Sequence, residues 1–571
     1  MSTQTSIKQS KLNNKSTNAL PTQLPQWQKL QQLAQRSWSL TELFNTEMDR
    51  AKKYSVSAEG IYFDYSKQCL DSDVKKQLMA LANACNLQLK INALYQGEKV
   101  NSSEDRAALH TALRLPKTAK LSHQGIDVVA EVHDSLDKSA DLVDRIRNGI
   151  WRGYSGKAIT DVVNIGVGGS DLGPVMTNTA LDEWADSDIQ VHFVSNMDGT
   201  QLGNLLERLN PETTLFIISS KSFGTVDTLS NAETARAWLL ETGASQATLL
   251  RRHFIGISAN TKKVSAWGIA KEHQLKLWNW VGGRFSMWSA IGLAVAIRIG
   301  TERFNEMLQG AYAMDQHFLN TEFEHNLPVL LGLIGVWNST FLDINAHTVL
   351  PYDGRLKYFP SYLTQLEMES NGKSVTHQGQ AVAYATCPIL WGEIGSNAQH
   401  AFYQLLHQGT QKVSCDFIAC VNYYQDSESN ELKRQHALSL ANCLAQSRVL
   451  AFGNDALVAK PDQEVSDLDK FKRYRGNQPS TTILLDELTP RSFGSLIALY
   501  EHKVFVMASI WDINPFDQWG VEMGKKVADE VFAHINLAKS FSNSLEGADP
   551  EVNFDSSTQA LLQHINKKIE V

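Results

Sequence analysis

Leu215-Phe216-Ile217-Ile218-Ser219-Ser220-Lys221-Ser222-Phe223-Gly224-Thr225-Val226-Asp227-Thr228 is the stretch on which the reading of this chain turns. An apolar run breaks abruptly into hydroxyls, a lysine and a glycine, and a helical pattern follows. That is a buried strand, a turn and a helix start. Hydroxyls at 220, 222, 225 and 228, the lysine and the helix N-terminus can together hold a phosphate monoester. A plain helix cap would use one hydroxyl, whereas this loop offers several.

Outward from that loop, apolar runs Asp161–Val167, Gln190–Val194, Thr214–Ile218 and Phe254–Ile257 alternate with helix-patterned segments. This texture predicts a parallel sheet with helices on both faces, whose ligands sit at the carboxyl ends of the strands. The turn after the first run, Asn164-Ile165-Gly166-Val167-Gly168-Gly169-Ser170-Asp171-Leu172-Gly173-Pro174, is close to a dinucleotide loop. Asp171 stands where that motif needs its third glycine, so Gly169 and Ser170 suit a small anion or polyol better than NAD. Further on, Val281-Gly282-Gly283-Arg284-Phe285-Ser286 sets a double glycine before an arginine, which lets the guanidinium approach a ligand closely. An arginine pinned to a structural carboxylate is the alternative.

Residues 301–343 read as helical and lead back to a second α/β unit with apolar runs Cys387–Trp391, Val413–Val421 and Thr481–Leu485. Within it, Lys357-Tyr358-Phe359-Pro360 reads as a helix entered at proline, with Asn371-Gly372 as a left-handed stop. Glu369 then lies in the last turn, where unpaired carbonyls oppose a negative charge, a setting that suits a base. His400 and His407, seven apart, are predicted to share a helix face, yet no third ligand or HExxH accompanies them, so no metal is expected. With a helix starting near Phe516, Gln518, Glu522 and Lys525 fall along one stripe; the bland alternative is a Glu522–Lys525 surface pair.

At 571 residues, with 43% hydrophobic and 20% charged residues, the chain is long enough for at least two soluble domains. A net charge of −8 supplies no global field for nucleic acid or an anionic membrane. Six cysteines without a CxxC pair suit a reducing cytoplasm. The start is polar and carries no signal-peptide pattern. Ala290–Ile299 and Leu327–Trp337 are too short to span a bilayer, so no membrane partner is expected. Residues 25 to about 120 read as helical, with a helix start at Ser102 or Ser103, and the tail from about 530 reads as a polar helix that wraps a partner subunit.

Five motifs in one order carry a resemblance. They are Gly168–Pro174, Val281–Ser286, Met368-Glu369-Ser370-Asn371-Gly372-Lys373, Gln399-His400-Ala401-Phe402 and Phe516-Asp517-Gln518-Trp519-Gly520-Val521-Glu522. With them the chain resembles the phosphoglucose isomerase family, of the sugar-isomerase-domain (SIS) type, from about Asp64 to the end of the last helix. The fold expected is α/β: two doubly wound α-β-α sandwich domains with parallel-rich sheets, a helical N-terminal segment and a C-terminal arm. The divisions expected are a flexible extension over 1–24, a smaller first domain over 130–300, a larger second domain over 25–129 and 301–530, and a helical arm over 531–571.

The resemblance implies reversible aldose–ketose isomerisation of glucose 6-phosphate and fructose 6-phosphate, in glycolysis and gluconeogenesis, without metal or organic cofactor. It implies that Glu369 moves a proton between C2 and C1, that Arg284 stabilises the cis-enediolate, and that His400 and Lys525 handle ring opening. Gly169, Ser170, Ser220, Lys221, Ser222, Thr225, Thr228, Gly283, Gln365 and Gln518 form the implied substrate-binding set. It further implies a cytoplasmic homodimer in which His400 reaches the site of the other subunit. One departure stands out: many members carry Ser-Lys-Thr-Phe-Thr-Thr-Gln-Glu-Thr in the phosphate loop, and here Gly224 removes a hydroxyl.

Overall fold

Successive side chains of a strand point to opposite faces, and in the apolar run at 215–218 both faces are covered. Leu215 and Ile217 enter one hydrophobic cluster, and Phe216 and Ile218 enter another. The computed structural model describes residues 20–423, 429–457, 470–535 and 554–569. In chain order its strands are β1 Ser55–Ala58, β2 Ile61–Asp64, β3 Ser122–His123, β4 Ile126–Asp127, β5 Asp161–Ile165, β6 Gln190–Val194, β7 Thr214–Ser219, β8 Phe254–Ser258, β9 Gln274–Lys276, β10 Ala346–Pro351, β11 Ile389–Gly392, β12 Ser414–Cys420 and β13 Ser480–Leu485.

The first sheet runs β6-β5-β7-β8-β9 and every pairing is parallel. Helices Val128–Arg147 and Leu293–Ile299 cover one face, and Val226–Leu240, Gln246–His253 and Thr261–Trp267 cover the other. The second sheet runs β1-β2-β13-β12-β10-β11. Its last four strands are parallel, and the β1–β2 hairpin joins β13 antiparallel. Ile418 and Ile483 face one core, while Cys415, Phe417 and Ala419 face another. The chain is thus α/β with two parallel-rich, doubly covered sheets.

Several expectations change. The segment 25–120 does contain helices Pro25–Ala34, Ser72–Ala84 and Leu87–Gln96, but residues 55–64 are a hairpin. Ile61 and Phe63 are buried and Tyr62 is exposed, a period of two that is too short to stand out among helices. No helix follows Ser103: a 3₁₀ turn at Ser102–Glu104 ends at Asp105 (φ 53°), and Arg106 exchanges backbone hydrogen bonds with Asn101. The strands β9 and β10 were not apparent in the sequence.

The helix Pro490–Trp511 is long and apolar enough to cross a bilayer, and here all of it from Phe493 to Trp511 is buried. Its centre carries Glu501, His502 and Lys503. Arg114 donates to Glu501 (2.7 Å) and to both oxygens of Asp315, His502 pairs with Asp315 (2.7 Å), and Lys503 donates to Glu367 (2.7 Å). Buried charges at this density survive only when paired in this way.

Residues Met1–Phe516 and Asp517–Val571 form separate units. In the second, a 3₁₀ turn at Trp519–Val521 precedes helix Glu522–Phe532, and helix Ser556–Ile569 contacts His534 through Asn566. Of the expected extension, 1–19 lies outside the described residues, while Pro21–Gln23 is a 3₁₀ turn with Pro21 buried. Of the expected arm, 536–553 and 570–571 lie outside them.

Candidate active site

The loops that leave β5 and β7 meet the loop carrying Arg284. A methyl group on Gly169 would fall 2.0 Å from the Gly283 carbonyl oxygen and 2.6 Å from the Arg284 nitrogen. No side chain is tolerated there, so the two glycine loops pack backbone on backbone. Asn164, buried at the middle of β5, accepts from Ser219 Oγ (2.9 Å) and donates to the Ser170 carbonyl (3.0 Å), tying both loops to one residue. Neighbouring Asp171 is held by burial at about 6, with a Ser195 hydrogen bond opposing the rise.

Arg284 is buried. Its Nε donates to Ser370 Oγ (2.6 Å), Nη2 donates to the Pro515 carbonyl (2.5 Å), and Nη1 lies 3.4 Å from Glu369 Oε2. Glu369 comes from the other sheet's connections. The helix entered at Pro360 widens into a π-turn over Gln365–Glu369 and ends after Asn371. Such turns recur at functional sites. Gln365 Nε2 donates to the same Oε2 (3.0 Å). Both donors therefore reach one carboxylate oxygen, and Oε1 takes no hydrogen bond among the described residues. The Glu369 side chain is 23% exposed, neither sealed nor facing open solvent.

The expected left-handed stop is absent, since neither Asn371 nor Gly372 has positive φ. Instead Lys373 Nζ covers the carbonyls of Glu369 (2.8 Å) and Ser370 (2.7 Å), and Asn371 donates to Val504 O (3.2 Å). Gly372 serves close approach, because a Cβ would lie 2.5 Å from the Met368 carbonyl oxygen. Below the turn, Glu367 accepts from Lys503, fastening it to the buried helix.

In the loop after β7, Ser220 and Thr225 hydroxyls are 3.2 Å apart, Ser222 is exposed, and Thr228 Oγ1 is buried without a partner among the described residues. Phe223 holds φ +45°, a conformation that costs energy and clusters at ligand sites. Lys221 Nζ donates to the carbonyls of Asn279 (3.2 Å) and Val281 (2.7 Å), just before the double glycine. Burial, reinforced by Arg106 and Arg284 and opposed by Glu104, lowers this ammonium to about 8. A methyl group on Gly224 would lie 3.0 Å from Lys263 Nζ and 3.8 Å from Ser222 Oγ. Lys263 Nζ makes no hydrogen bond or ion pair among the described residues, and the sequence reading missed it. Only the absent side chain at 224, opposite a lysine two loops away, could have signalled it.

His400 is exposed on helix Gly395–Ala401 and makes no hydrogen bond, ion pair or ring contact among the described residues. The helix breaks at Phe402, so His407 does not share its face; its Nε2 donates to Gln446 Oε1 (2.9 Å), and burial lowers its pKa. No group of three metal-binding side chains occurs among the described residues. In the second unit, Gln518 is exposed and precedes the 3₁₀ turn rather than lying on the helix, and Lys525 pairs with Glu522 at 2.8 Å.

A model of the phosphoglucose isomerase family matches residues 64–562. Over 546 residues the chain is 67% identical to a glucose-6-phosphate isomerase of Psychrobacter cryohalolentis, covering 95% of this chain and 96% of that protein. It is 51% identical over 565 residues to the glucose-6-phosphate isomerase of Acinetobacter baylyi, covering 97% and 99%. Among solved structures it is similar to a glucose-6-phosphate isomerase from Chlamydia trachomatis, with 31% identity, a TM-score of 0.81, and coverage of 96% of this chain and 100% of that one.

Proposed function

The chain belongs to the phosphoglucose isomerase family, and on that premise we propose that it interconverts glucose 6-phosphate and fructose 6-phosphate through Glu369 and Arg284. The observation that carries the assignment is the shared oxygen of Glu369. Arg284 and Gln365 both hold Oε2, which orients the carboxylate and leaves Oε1 to receive a proton.

The substrate phosphate binds to Ser220, Ser222, Thr225, Thr228 and the Lys221 and Lys263 ammoniums, and its binding energy orients the sugar. Gly169, Ser170, Gly283 and Gln518 line the sugar. His400, contributed by a second subunit of a homodimer, and Lys525 move the proton between O5 and O1 that opens the ring. Glu369 then removes the C2 proton, and the electron pair becomes the cis-enediolate. As the carboxylate is neutralised, negative charge passes to an enediolate oxygen, and the fixed Arg284 guanidinium meets it without reorganising. The hydroxyl proton on O2 passes to O1, the same carboxyl returns the carbon-derived proton to C1, and the carbonyl forms at C2 to give the ketose; the reverse sequence gives the aldose.

The division into a first domain over 130–300, a second over 25–129 and 301–530, and an arm from 531 belongs to this reading, as does a cytoplasmic location. The test is a coupled assay on both hexose phosphates with a chelator present. Turnover in both directions is expected. Tight sugar-phosphate binding without turnover would instead identify a regulator built on the same fold.

A further inference from the structure

Strand β8 is entered from Arg252-His253 and left at Ser258, whose hydroxyl donates to the Lys221 carbonyl of the phosphate loop. Five residues at about 3.3 Å each put roughly 16 Å between those two ends. At the entry end, away from every loop assigned above, lies a cleft of about 120 Å³ lined by Arg145, Trp151, Arg251, Arg252, Glu272 and His273. Arg145 ends helix Val128–Arg147, the two adjacent arginines end helix Gln246–His253, and Glu272 and His273 form the turn into β9.

The cleft is built rather than incidental. Trp151 is fixed by its Nε1–H donating to the Arg252 carbonyl (2.8 Å), and its ring lies 4.4 Å from the His273 ring and 5.3 Å from the Arg145 guanidinium. His273 is 5% exposed, and its Nδ1 is buried without a hydrogen-bond partner among the described residues. A buried imidazole nitrogen left unpaired is costly. Burial lowers this imidazole to about 4, with Arg145, Arg251 and Lys138 lowering it further and Glu272 opposing.

The charges are equally unbalanced. Neither Arg251 nor Arg252 makes a side-chain hydrogen bond or ion pair among the described residues, and Arg145 meets only Asp141 on its own helix, at 3.6 Å. Three guanidiniums thus line the cleft with one carboxylate, Glu272, and a second, Asp141, reaches only Arg145 among the described residues. Guanidinium donors converging beside an unsatisfied imidazole match the lone pairs of a tetrahedral oxyanion.

We propose that this cleft is a second anion site, which takes a phosphate group independently of the catalytic loop. Arg251 and Arg252 supply the charge, Arg145 braced on Trp151 supplies a third donor, and His273 turns its free nitrogen to the bound oxygen.

The test is calorimetric titration of the full-length protein with inorganic phosphate, and separately with inorganic pyrophosphate, with no sugar phosphate present, counting anions beyond the one the catalytic loop takes. One further anion per chain is expected, with affinity that falls as sodium chloride rises. Tighter pyrophosphate binding would identify a phosphate chain as the ligand, and equal affinities a single phosphate. The R251A/R252A variant is expected to bind at least tenfold more weakly, with kcat and KM within twofold of wild type, which also reports an intact fold. Should that pair fail to fold, R251Q and R252Q singly carry the same comparison. Absence of a second anion in wild type, or unchanged binding in the variants, overturns the proposal.

Discussion

The Arg284–Glu369 cluster and the Ser220–Thr228 loop sit at the carboxyl ends of strands and are built on opposite principles. Around Arg284 the polar groups are used up: its nitrogens reach Ser370, Pro515 and Glu369, and the adjoining Trp288 donates to Glu501 in the buried ionic frame with Arg114 and Asp315. The loop is the reverse, with an exposed Ser222, a strained Phe223, and a Thr228 hydroxyl and a Lys263 ammonium that find no partner among the described residues. Groups that must meet charge as it develops gain from being fixed beforehand. Groups that anchor a phosphate gain from donors still unspent when it arrives.

Removing the proton acceptor should break the first region most severely. Glu369→Gln is expected to lower kcat by about 10²–10⁴ while KM stays nearly unchanged; a variant keeping a tenth of its rate would strip Glu369 of the role. Next in size, Arg284→Lys keeps the charge but cannot reach Ser370 and Pro515 together, and a loss of about 10²–10³ in kcat/KM is expected. An effect confined to KM would make Arg284 a binding group only.

Changes in the loop should act on KM instead. Lys263→Met is expected to raise KM roughly tenfold, the scale of one charge-assisted hydrogen bond, with kcat within twofold; an unchanged KM would remove Lys263 from the phosphate site. Gly224→Thr, which puts a side chain where Lys263 Nζ lies, should shift KM in the same direction by less.

Lys221 gives the gentlest handle. Its pKa of about 8 in the free protein lies below the usual lysine value, and a bound phosphate favours the ammonium. Affinity is therefore complete below pH 8 and falls as pH rises past it, so KM should climb by up to about tenfold per pH unit. Lys221→Met should bind more weakly at pH 7 and lose this dependence; a flat wild-type profile to pH 9.5 would contradict the assignment.

These two regions also differ in how far they could be read from residues alone. The loop at 219–228 declared itself, because a strand, a turn and a helix start are local and their residue types are distinctive. So did both parallel-rich sheets, since strands buried on two faces leave unbroken apolar runs such as 215–218 and 417–420. The hairpin at 55–64 did not, because four-residue strands with one exposed face look like noise beside strong helices. The helix end at Glu369 was also misjudged: its carbonyls are met by Lys373, and its geometry widens to a π-turn anchored by Lys503, more than a hundred residues away.

Taken alone, the order of residues determined the α/β class, the strand, turn and helix start around 219–228 and the motifs that ally this chain with a family of isomerases, since those rest on periodicity and on neighbours in sequence. Only the folded chain decided that Gly169 must lie against Gly283, that Arg284 and Gln365 converge on a single oxygen of Glu369, and that Lys263 fills the space Gly224 leaves. Those are encounters between segments tens to hundreds of residues apart, and their distances are set by how helices and sheets pack.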